Sequence, residues 1–271
     1  MWTADLLRDR DAILAFLQTD RLYNAYAIAD LEPVLFAQCV WAGAERNGRL
    51  GALALQFCGL EPQPLLLMGA AEGVRAILAH VLHPEAASIG CRDEHVAAVQ
   101  EWYDWDEPVA MWRMALRPGG APDEVARGAN PVPCVRLTSE HLDQLVELYA
   151  LGGGDAFSPA QLADGVFYGV VVDGRLVAAA GTHLISPVYG IGAIGNVFTQ
   201  PDFRGRGFAT AATGAVAAEL LRRGVRDIIL NVAQRNAAAV RAYEKLGFER
   251  THAFIEGLAM LRPVAATDVS N

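Results

Sequence analysis

The sequence has 271 residues, of which 53% are hydrophobic and 20% charged, and its formal net charge is −9. This composition provides a substantial core and excludes an intrinsically disordered chain. The acidic balance gives no global field that would attract nucleic acid or an anionic membrane, so an anionic ligand needs a local site.

Patterns typical of a metal site, a secretion signal or a membrane span are missing from the sequence. The four cysteines are far apart, without CxxC or Cys/His spacing, which is typical of reduced, buried thiols. The first residues mix acids, bases and apolar side chains, unlike a signal peptide, and no apolar run reaches about 18 residues. We expect a soluble cytoplasmic protein that holds no metal and binds neither nucleic acid nor membranes.

Hydrophobic periodicity predicts helices and strands in the first part of the chain. The predicted helices cover Thr3–Gln18, Leu22–Asp30, Glu72–Leu82 and Glu94–Tyr103, and the strand-like segments cover Gln38–Glu45, Leu50–Phe57 and Leu65–Met68. A stretch rich in proline and glycine, without apolar periodicity, follows at residues 117–133. It predicts a linker at 118–133 between a first domain, 1–117, and a second domain, 134–271.

The sequence pattern of the second domain predicts the element order β-α-α-β-β-β-α-β-α-β. This order is typical of a mixed sheet flanked by helices, an α/β (α+β) fold. Asp173-Gly174 between two apolar runs is a strong hairpin signal. The predicted strands lie at Val135, Gly169–Val172, Leu176–Thr182, Ile191–Thr199, Asp227–Val232 and Ala253–Leu261, and the predicted helices at Ser139 to Gly152, Ser158–Ala163, Phe208–Arg223 and Asn236 to Gly247.

Two short stretches of the first domain resemble stretches of the second. Ala97–Trp102 aligns with Ala238–Tyr243, and Met114–Pro118 aligns with Ala259–Pro263. The offsets differ by four residues, 141 from residue 99 to 240 and 145 from residue 117 to 262. Alanine-rich helices also align by coincidence, but the preferred interpretation is a tandem duplication whose first copy has lost its chemistry.

Two glycine patterns compete for the role of a phosphate-binding loop. Residues 190–195 spell GxGxxG, but the residues that follow are β-like, whereas a dinucleotide fingerprint must open a helix. Those glycines are better explained by a bulge or a close approach along a strand. Residues 204–209, RGRGFA, instead stand between a strand and a helix.

The second pattern has the chemistry of an anion site. A helix N-terminus presents unpaired backbone N–H groups and partial positive charge, and Gly205 and Gly207 let the backbone approach a pyrophosphate. Arg204 and Arg206 add two guanidinium groups. The alternative for the hexapeptide alone is an ordinary exposed loop.

The sequence around this loop resembles the GCN5-related N-acetyltransferase (GNAT) family over residues 134–262. The run from Val197 through Pro201 and Phe203 to Ala209 is similar to the family's V-x-x-x-P-x-[FY]-R-G-x-G-x-A stretch, and Asn236 to Phe248 is similar to its N-x-x-[AS]-x-x-x-Y-x-K-x-G-F pattern. Residues 180–197 look most like the FR47-like branch, which includes glycine N-acyltransferase-like proteins. The first domain fits the degenerate copy of tandem GNAT members.

The resemblance implies a binding site for acetyl-CoA, used as a co-substrate. The residues it places in that site are Val197, Phe198, Thr199, Arg204, Gly205, Arg206, Gly207, Phe208, Ala209 and Asn236. The resemblance also makes Tyr243 the acid that protonates the leaving thiolate, although a helix tyrosine packed in a core is the simpler alternative. Asn236 could equally cap its own helix.

The general base is left open by the sequence. Many family members carry a glutamate on the strand before the loop, where this chain has Gly192, Ala193, Gly195 and Asn196. The candidates are His183, Glu256, Asp155, a water relay, or an acceptor that binds already neutral. For His183, a structural role is the stronger interpretation.

The first domain is predicted to lack productive acyl-CoA binding. Trp102 stands in the place of Tyr243 and cannot protonate a thiolate usefully, and the matching turn has no arginine but an acidic Glu72. The aromatic residues Trp102, Tyr103, Trp105 and Trp112 are interpreted as core rather than as a ligand cage.

These observations predict an acyl-CoA-dependent N-acyltransferase that moves an acyl group, most simply acetyl, to the amine of a small molecule or amino acid. The amine attacks directly within a ternary complex. A non-catalytic acyl-CoA sensor and a purely structural tandem protein are the alternatives. The oligomeric state is left open between a monomer and a homodimer.

Overall fold

The computed structural model describes residues 1–117, 119, 132–154 and 157–263. The chain divides into two compact units, one of Met1–Met111 with the residues from Ala253 onward, and one of Trp112–His252. Most of the predicted linker lies outside the described residues, and the predicted domain boundaries stay a prediction. Among the described residues, every helix falls short of the length and apolar character that a bilayer crossing requires.

The first unit is a mixed sheet with helices beside it. Its strands are β1 (Thr3–Leu7), β2 (Cys39–Arg46), β3 (Arg49–Phe57), β4 (Gln63–Gly69), β5 (Ala86–Cys91), β6 (Tyr103–Trp105) and the start of β7 (Val109–Leu116). Its helices are α1 (Arg10–Leu17), α2 (Ala25–Ala29), α3 (Pro33–Phe36), α4 (Ala71–His80) and α5 (Val96–Trp102). Strands β1 to β4 pair antiparallel in chain order, and β4 then pairs parallel with β5.

The second unit repeats this arrangement. Its strands are β8 (Val135–Leu137), β9 (Phe167–Val172), β10 (Arg175–Ser186), β11 (Ile191–Thr199), β12 (Asp227–Ala233) and the start of β13 (Phe248–Leu261). Its helices are α6 (Leu142–Tyr149), α7 (Pro159–Asp164), α8 (Phe208–Arg222) and α9 (Ala237–Lys245). Strands β8 to β11 pair antiparallel in chain order, and β11 pairs parallel with β12.

Each unit contains part of a strand that follows the other unit's strands in the sequence. In the first unit, Ile255–Met260 of β13 pair antiparallel with β5. In the second unit, β7 lies beside β12. The predicted fold class, a mixed sheet flanked by helices, is confirmed. Five strands with the same order and pairing, and one helix between the parallel pair, recur in both units and support the predicted duplication.

The predicted helix over Thr3–Gln18 is wrong at its start. Thr3–Leu7 form β1, because they pair in register with Trp41–Glu45 of β2. The helix begins only at Arg10, where the Asp9 carboxylate accepts from the N–H groups of Asp11 and Ala12.

Strand β5 has no counterpart among the predicted strands. Its residues, Ala86–Cys91, are mostly small and have low strand propensity. The neighbouring strands β4 and β13 hold it in the sheet from both sides, which a local pattern cannot reveal.

The aromatic residues interpreted as core do pack in cores. Tyr103 is fully buried in the core of the first unit, where Trp102 and Trp105 pack against it. Trp112 packs against the core of the second unit, to which α8, α9, β11 and β12 contribute.

Candidate active site

The second unit contains an opening between two parallel strands. β11 and β12 pair only over Ile191–Ile194 and Asp227–Leu230. The rest of β11, residues 195–199, and the rest of β12, residues 231–233, have no mutual pairing. Such an opening leaves backbone N–H and C=O groups of two strands available to a ligand.

A β-bulge starts the divergence of β11. Opposite Ala180 of β10 stand two residues of β11, Asn196 and Val197. Asn196 adopts a φ of +51°, in the left-handed region that asparagine tolerates better than most residues. A bulge bends its strand, so β11 turns away from β12 at this point.

The arginine-glycine loop joins β11 to α8, as predicted. Pro201–Phe203 form one 3-10 turn, and α8 begins at Phe208, directly after Gly207. No side chain caps this helix, so the amides of its first turn lack the partner that an N-cap residue supplies. Their direction and the helix dipole favour an anion at this end of α8.

Two exposed guanidinium groups flank this loop. Arg204 donates from Nε to the Thr199 carbonyl at 3.2 Å and lies over the Phe198 ring at 5.9 Å. Arg206 lies over the Phe203 ring at 5.0 Å. Neither guanidinium forms an ion pair within the described part of the chain, so no carboxylate competes with an anionic ligand for them.

Tyr243 lies on α9 and is 7% exposed. The centroids of the Tyr243 and Phe248 rings are 6.3 Å apart, in an edge-on arrangement. Burial raises the pKa of the Tyr243 hydroxyl to about 12. Its hydroxyl has no hydrogen-bond partner among the described residues. The ring is therefore part of the core, as one interpretation held, while the protonated hydroxyl is free to donate.

Asn236 caps α9. Its Oδ1 accepts from the Ala239 N–H at 3.1 Å. The capping role is therefore observed, and a second role in ligand binding stays a prediction.

The GxGxxG glycines serve close packing along β11. A Cβ at Gly192 would meet Leu220 of α8 at 3.1 Å, and a Cβ at Gly195 would lie 2.0 Å from Nε2 of His183. The interpretation as a strand with close approaches is confirmed, and these residues form no dinucleotide loop because no helix follows them.

The candidate bases fall into different surroundings. His183 packs its imidazole on Gly195, and burial lowers its pKa to about 4, so it is neutral at pH 7. Glu256 lies in β13, opposite Gly90 of the first unit. Asp155 lies outside the described residues. None of the three is a carboxylate on β11.

Three buried oxygens near the opening lack a hydrogen-bond partner among the described residues. They are Oδ1 of Asn196, Oγ1 of Thr199 and Oδ1 of Asn231. Buried polar atoms in proteins are nearly always hydrogen-bonded, so each of these oxygens calls for a hydrogen-bond donor. Asn231 was not singled out in the sequence, where only its position as a polar residue within the apolar run of β12 marks it.

The first unit lacks the loop. Only Ala70 separates the end of β4 from the start of α4, whereas eight residues, 200–207, separate β11 from α8. Glu72 is exposed in the first turn of α4, and the Gly69 carbonyl is bonded to Nε2 of His95 at 2.8 Å. These differences support the prediction that the first copy holds no pyrophosphate.

Comparisons with known proteins identify the family of this chain. The model of the acetyltransferase (GNAT) family matches residues 136–248, all in the second unit. The chain is 31% identical over 230 residues to a mycothiol acetyltransferase of Amycolatopsis mediterranei, covering 76% of this chain and 69% of that protein. It is 30% identical to a mycothiol acetyltransferase of Cellulomonas flavigena, covering 65% of this chain and 60% of that protein.

Solved structures show the same fold across nearly the whole chain. A GCN5-related N-acetyltransferase from Sphaerobacter thermophilus superposes with a TM-score of 0.60 at 19% identity, covering 97% of this chain and 96% of that one. A tandem GNAT protein from the clavulanic acid biosynthesis pathway gives a TM-score of 0.59 at 16% identity, covering 97% and 100%.

The chain belongs to the GNAT family of acetyltransferases. It is an enzyme of the N-acetyltransferase class, whose general activity is acyl-CoA-dependent acetyl transfer.

Replacing Gly205 by alanine tests the loop. Gly205 has a φ of +76° and Gly174, in the β9–β10 hairpin, has +78°, and a Cβ at either would meet nothing within 4 Å. Both Gly→Ala changes should therefore lower the free energy of unfolding similarly, by about 1 kcal/mol. Only Gly205→Ala should also weaken acetyl-CoA binding in calorimetry. Equal acetyl-CoA affinity in the two variants would contradict a ligand at this loop.

Proposed function

We propose that the chain transfers an acetyl group from acetyl-CoA to the amine of a small molecule or amino acid, by direct attack in a ternary complex. The observation that carries this proposal is the combination, in one unit, of a helix N-terminus without a side-chain cap and an opened pair of parallel strands. The first feature suits a pyrophosphate and the second an extended arm with amide groups.

The residues of this unit fit acetyl-CoA. In this proposal, Arg204, Arg206 and the amides from Gly205 to Ala209 hold the pyrophosphate. The backbone of Val197, Phe198 and Thr199, beyond the last pair of β11 with β12, holds the pantetheine arm and the thioester carbonyl.

In the proposed reaction, the protein positions the two reactants and donates one proton. The amine nitrogen attacks the thioester carbon, the carbon–sulfur bond breaks, and the acetyl group ends on nitrogen. The sulfur leaves as a thiolate and takes the proton of the Tyr243 hydroxyl, while the nitrogen gives one proton to water and water returns a proton to the Tyr243 phenolate. Burial keeps this phenol protonated throughout the neutral pH range.

The acceptor is proposed to be a small molecule rather than a protein lysine. The curated relatives are named for mycothiol acetylation, so the acceptor of those enzymes belongs in a substrate panel. We further propose that the chain is a tandem duplication, that the first copy binds no acyl-CoA, and that the FR47-like branch is its place in the family.

A second candidate function is a non-catalytic acyl-CoA sensor. It is favoured by β11, whose residues near the opening are Gly192, Ala193, Gly195 and Asn196, without a carboxylate to serve as base. Both candidates require acyl-CoA binding, and only the first requires turnover.

Arg204→Ala with Arg206→Ala tests the cofactor site. Loss of two charge-assisted contacts should weaken acetyl-CoA binding by about a hundredfold and abolish the acetyl-CoA-dependent rise in melting temperature. The measurements are calorimetric titration and thermal shift with acetyl-CoA.

The matched control is Arg46→Ala with Arg49→Ala, which removes the same charge from an exposed hairpin of the first unit. It should bind acetyl-CoA like the wild type. A wild type that stays folded but binds no acetyl-, propionyl- or longer acyl-CoA would contradict the proposal.

Tyr243→Phe separates the enzyme from the sensor. The change removes one oxygen that has no partner among the described residues, so folding and acetyl-CoA affinity should be preserved. The turnover number should fall about a hundredfold, measured as thiol release with an amine panel. An unchanged turnover number would rule out Tyr243 as the acid, and a wild type that binds acetyl-CoA without any turnover would favour the sensor.

A further inference from the structure

Two of the three partnerless oxygens, those of Asn196 and Asn231, lie where β11 and β12 separate. Asn196 is two residues and Asn231 one residue beyond the last pair, Ile194 with Leu230. The side-chain oxygens of both asparagines are buried without a partner among the described residues. An orphaned buried acceptor costs free energy unless something supplies a donor, so two at one opening point to a ligand.

The surrounding hydrogen bonds determine which side-chain atom of Asn196 has no partner among the described residues. The Oε1 atom of Gln161 accepts from the Ser158 N–H at 3.0 Å, and its Nε2 donates to the His183 carbonyl at 3.2 Å. Gln161 therefore offers Asn196 an oxygen, to which Nδ2 of Asn196 donates at 3.3 Å. The Tyr149 hydroxyl holds the Asn196 carbonyl at 2.6 Å. The atom that remains is Oδ1, an acceptor.

Both asparagines face the same side of the sheet. Ile228, Leu230 and Val232 pack in the core with α8 and α9, so alternation along β12 turns Asn231 to the opposite face. Asn196 bonds to Gln161 of α7, and α7 contributes Leu162 to the core on that opposite face. The two oxygens thus lie on the α6–α7 side, away from α8.

We propose that Oδ1 of Asn196 and Oδ1 of Asn231 bind the N–H groups of the acceptor amine, which therefore enters as a neutral amine from the α6–α7 side of the opening. This proposal rests on the acetyltransferase function proposed above. A neutral primary amine has two N–H donors and one lone pair. Two acceptor oxygens occupy the donors and leave the lone pair for the thioester carbon.

This arrangement explains how the site works without a carboxylate on β11. An asparagine oxygen holds an N–H group but cannot take its proton. The two described titratable groups around Asn196 are also unsuited to the task. His183 is neutral at pH 7 with a pKa of about 4, and burial raises the pKa of Tyr149. The site therefore selects the amine that has already lost its proton in water.

Asn196→Gly is the direct test, since glycine accepts the φ of +51° and removes only the side chain. Thiol release is measured with acetyl-CoA and glucosamine, benzylamine, glycinamide or lysine as acceptor. We expect the KM for the accepted amine to rise about tenfold, with acetyl-CoA affinity in calorimetry changed by less than about twofold. Asn231→Ala should have the same effect independently.

The matched control is Thr213→Val. Its hydroxyl is also a buried oxygen without a partner among the described residues, but it lies within α8. The nearly isosteric change should leave the KM for the amine as in the wild type.

A second readout is the pH profile of Asn196→Asp. In the wild type, kcat/KM for the amine should rise with pH until it reaches the pKa of the amine itself. A carboxylate at 196 can take the proton, so in this variant the rise should begin at lower pH. A purely structural asparagine would give a lower rate with an unshifted profile.

The outcomes separate the two proposals. Turnover with an unchanged KM for the amine in both Asn196→Gly and Asn231→Ala would overturn the acceptor site and leave the acetyltransferase function standing. Should Asn196→Gly fail to fold, the KM of Asn231→Ala decides. Wild-type protein that binds acetyl-CoA but acetylates none of the amines would contradict the proposed function itself.

Discussion

The early end of the pairing between β11 and β12 is the constraint on which the site depends. Four residue pairs hold these strands together, and then the bulge at Asn196 and Val197 bends β11 away. Longer pairing would join the backbone groups of the two strands to each other and close the opening. The bulge is itself held within the second unit, since the Tyr149 hydroxyl donates to the Asn196 carbonyl.

The two units share a strand arrangement and differ at the segment that precedes one helix. Both have antiparallel strands followed by a parallel pair connected through a helix. In the second unit, eight residues lie between β11 and α8, and they include two arginines and two glycines. In the first unit, a single alanine lies between β4 and α4. A chain that enters its helix within one residue has no room to wrap a pyrophosphate, which supports the proposal that the first unit binds no acyl-CoA.

Much of this could be predicted from the sequence, because the relevant signals are local. The hairpin at Asp173-Gly174, the glycines before α8 and the cap at Asn236 each act within a few residues. Strands β1, β5, β6 and β7 were missed; β1 and β5 are held by neighbouring strands rather than by local propensity. The partnerless oxygen of Asn231 could not be predicted either, because it depends on where two strands separate, and that is a property of tertiary pairing.

The central claim is that one unit binds acetyl-CoA and the other only shares its fold. The most direct measurement is the stoichiometry of acetyl-CoA binding to the whole chain by isothermal calorimetry, with the protein concentration determined independently. The account predicts one saturable site per chain. Two sites per chain would contradict the assignment of the first unit as a non-binding copy, and no binding would contradict the site at the opening of β11 and β12.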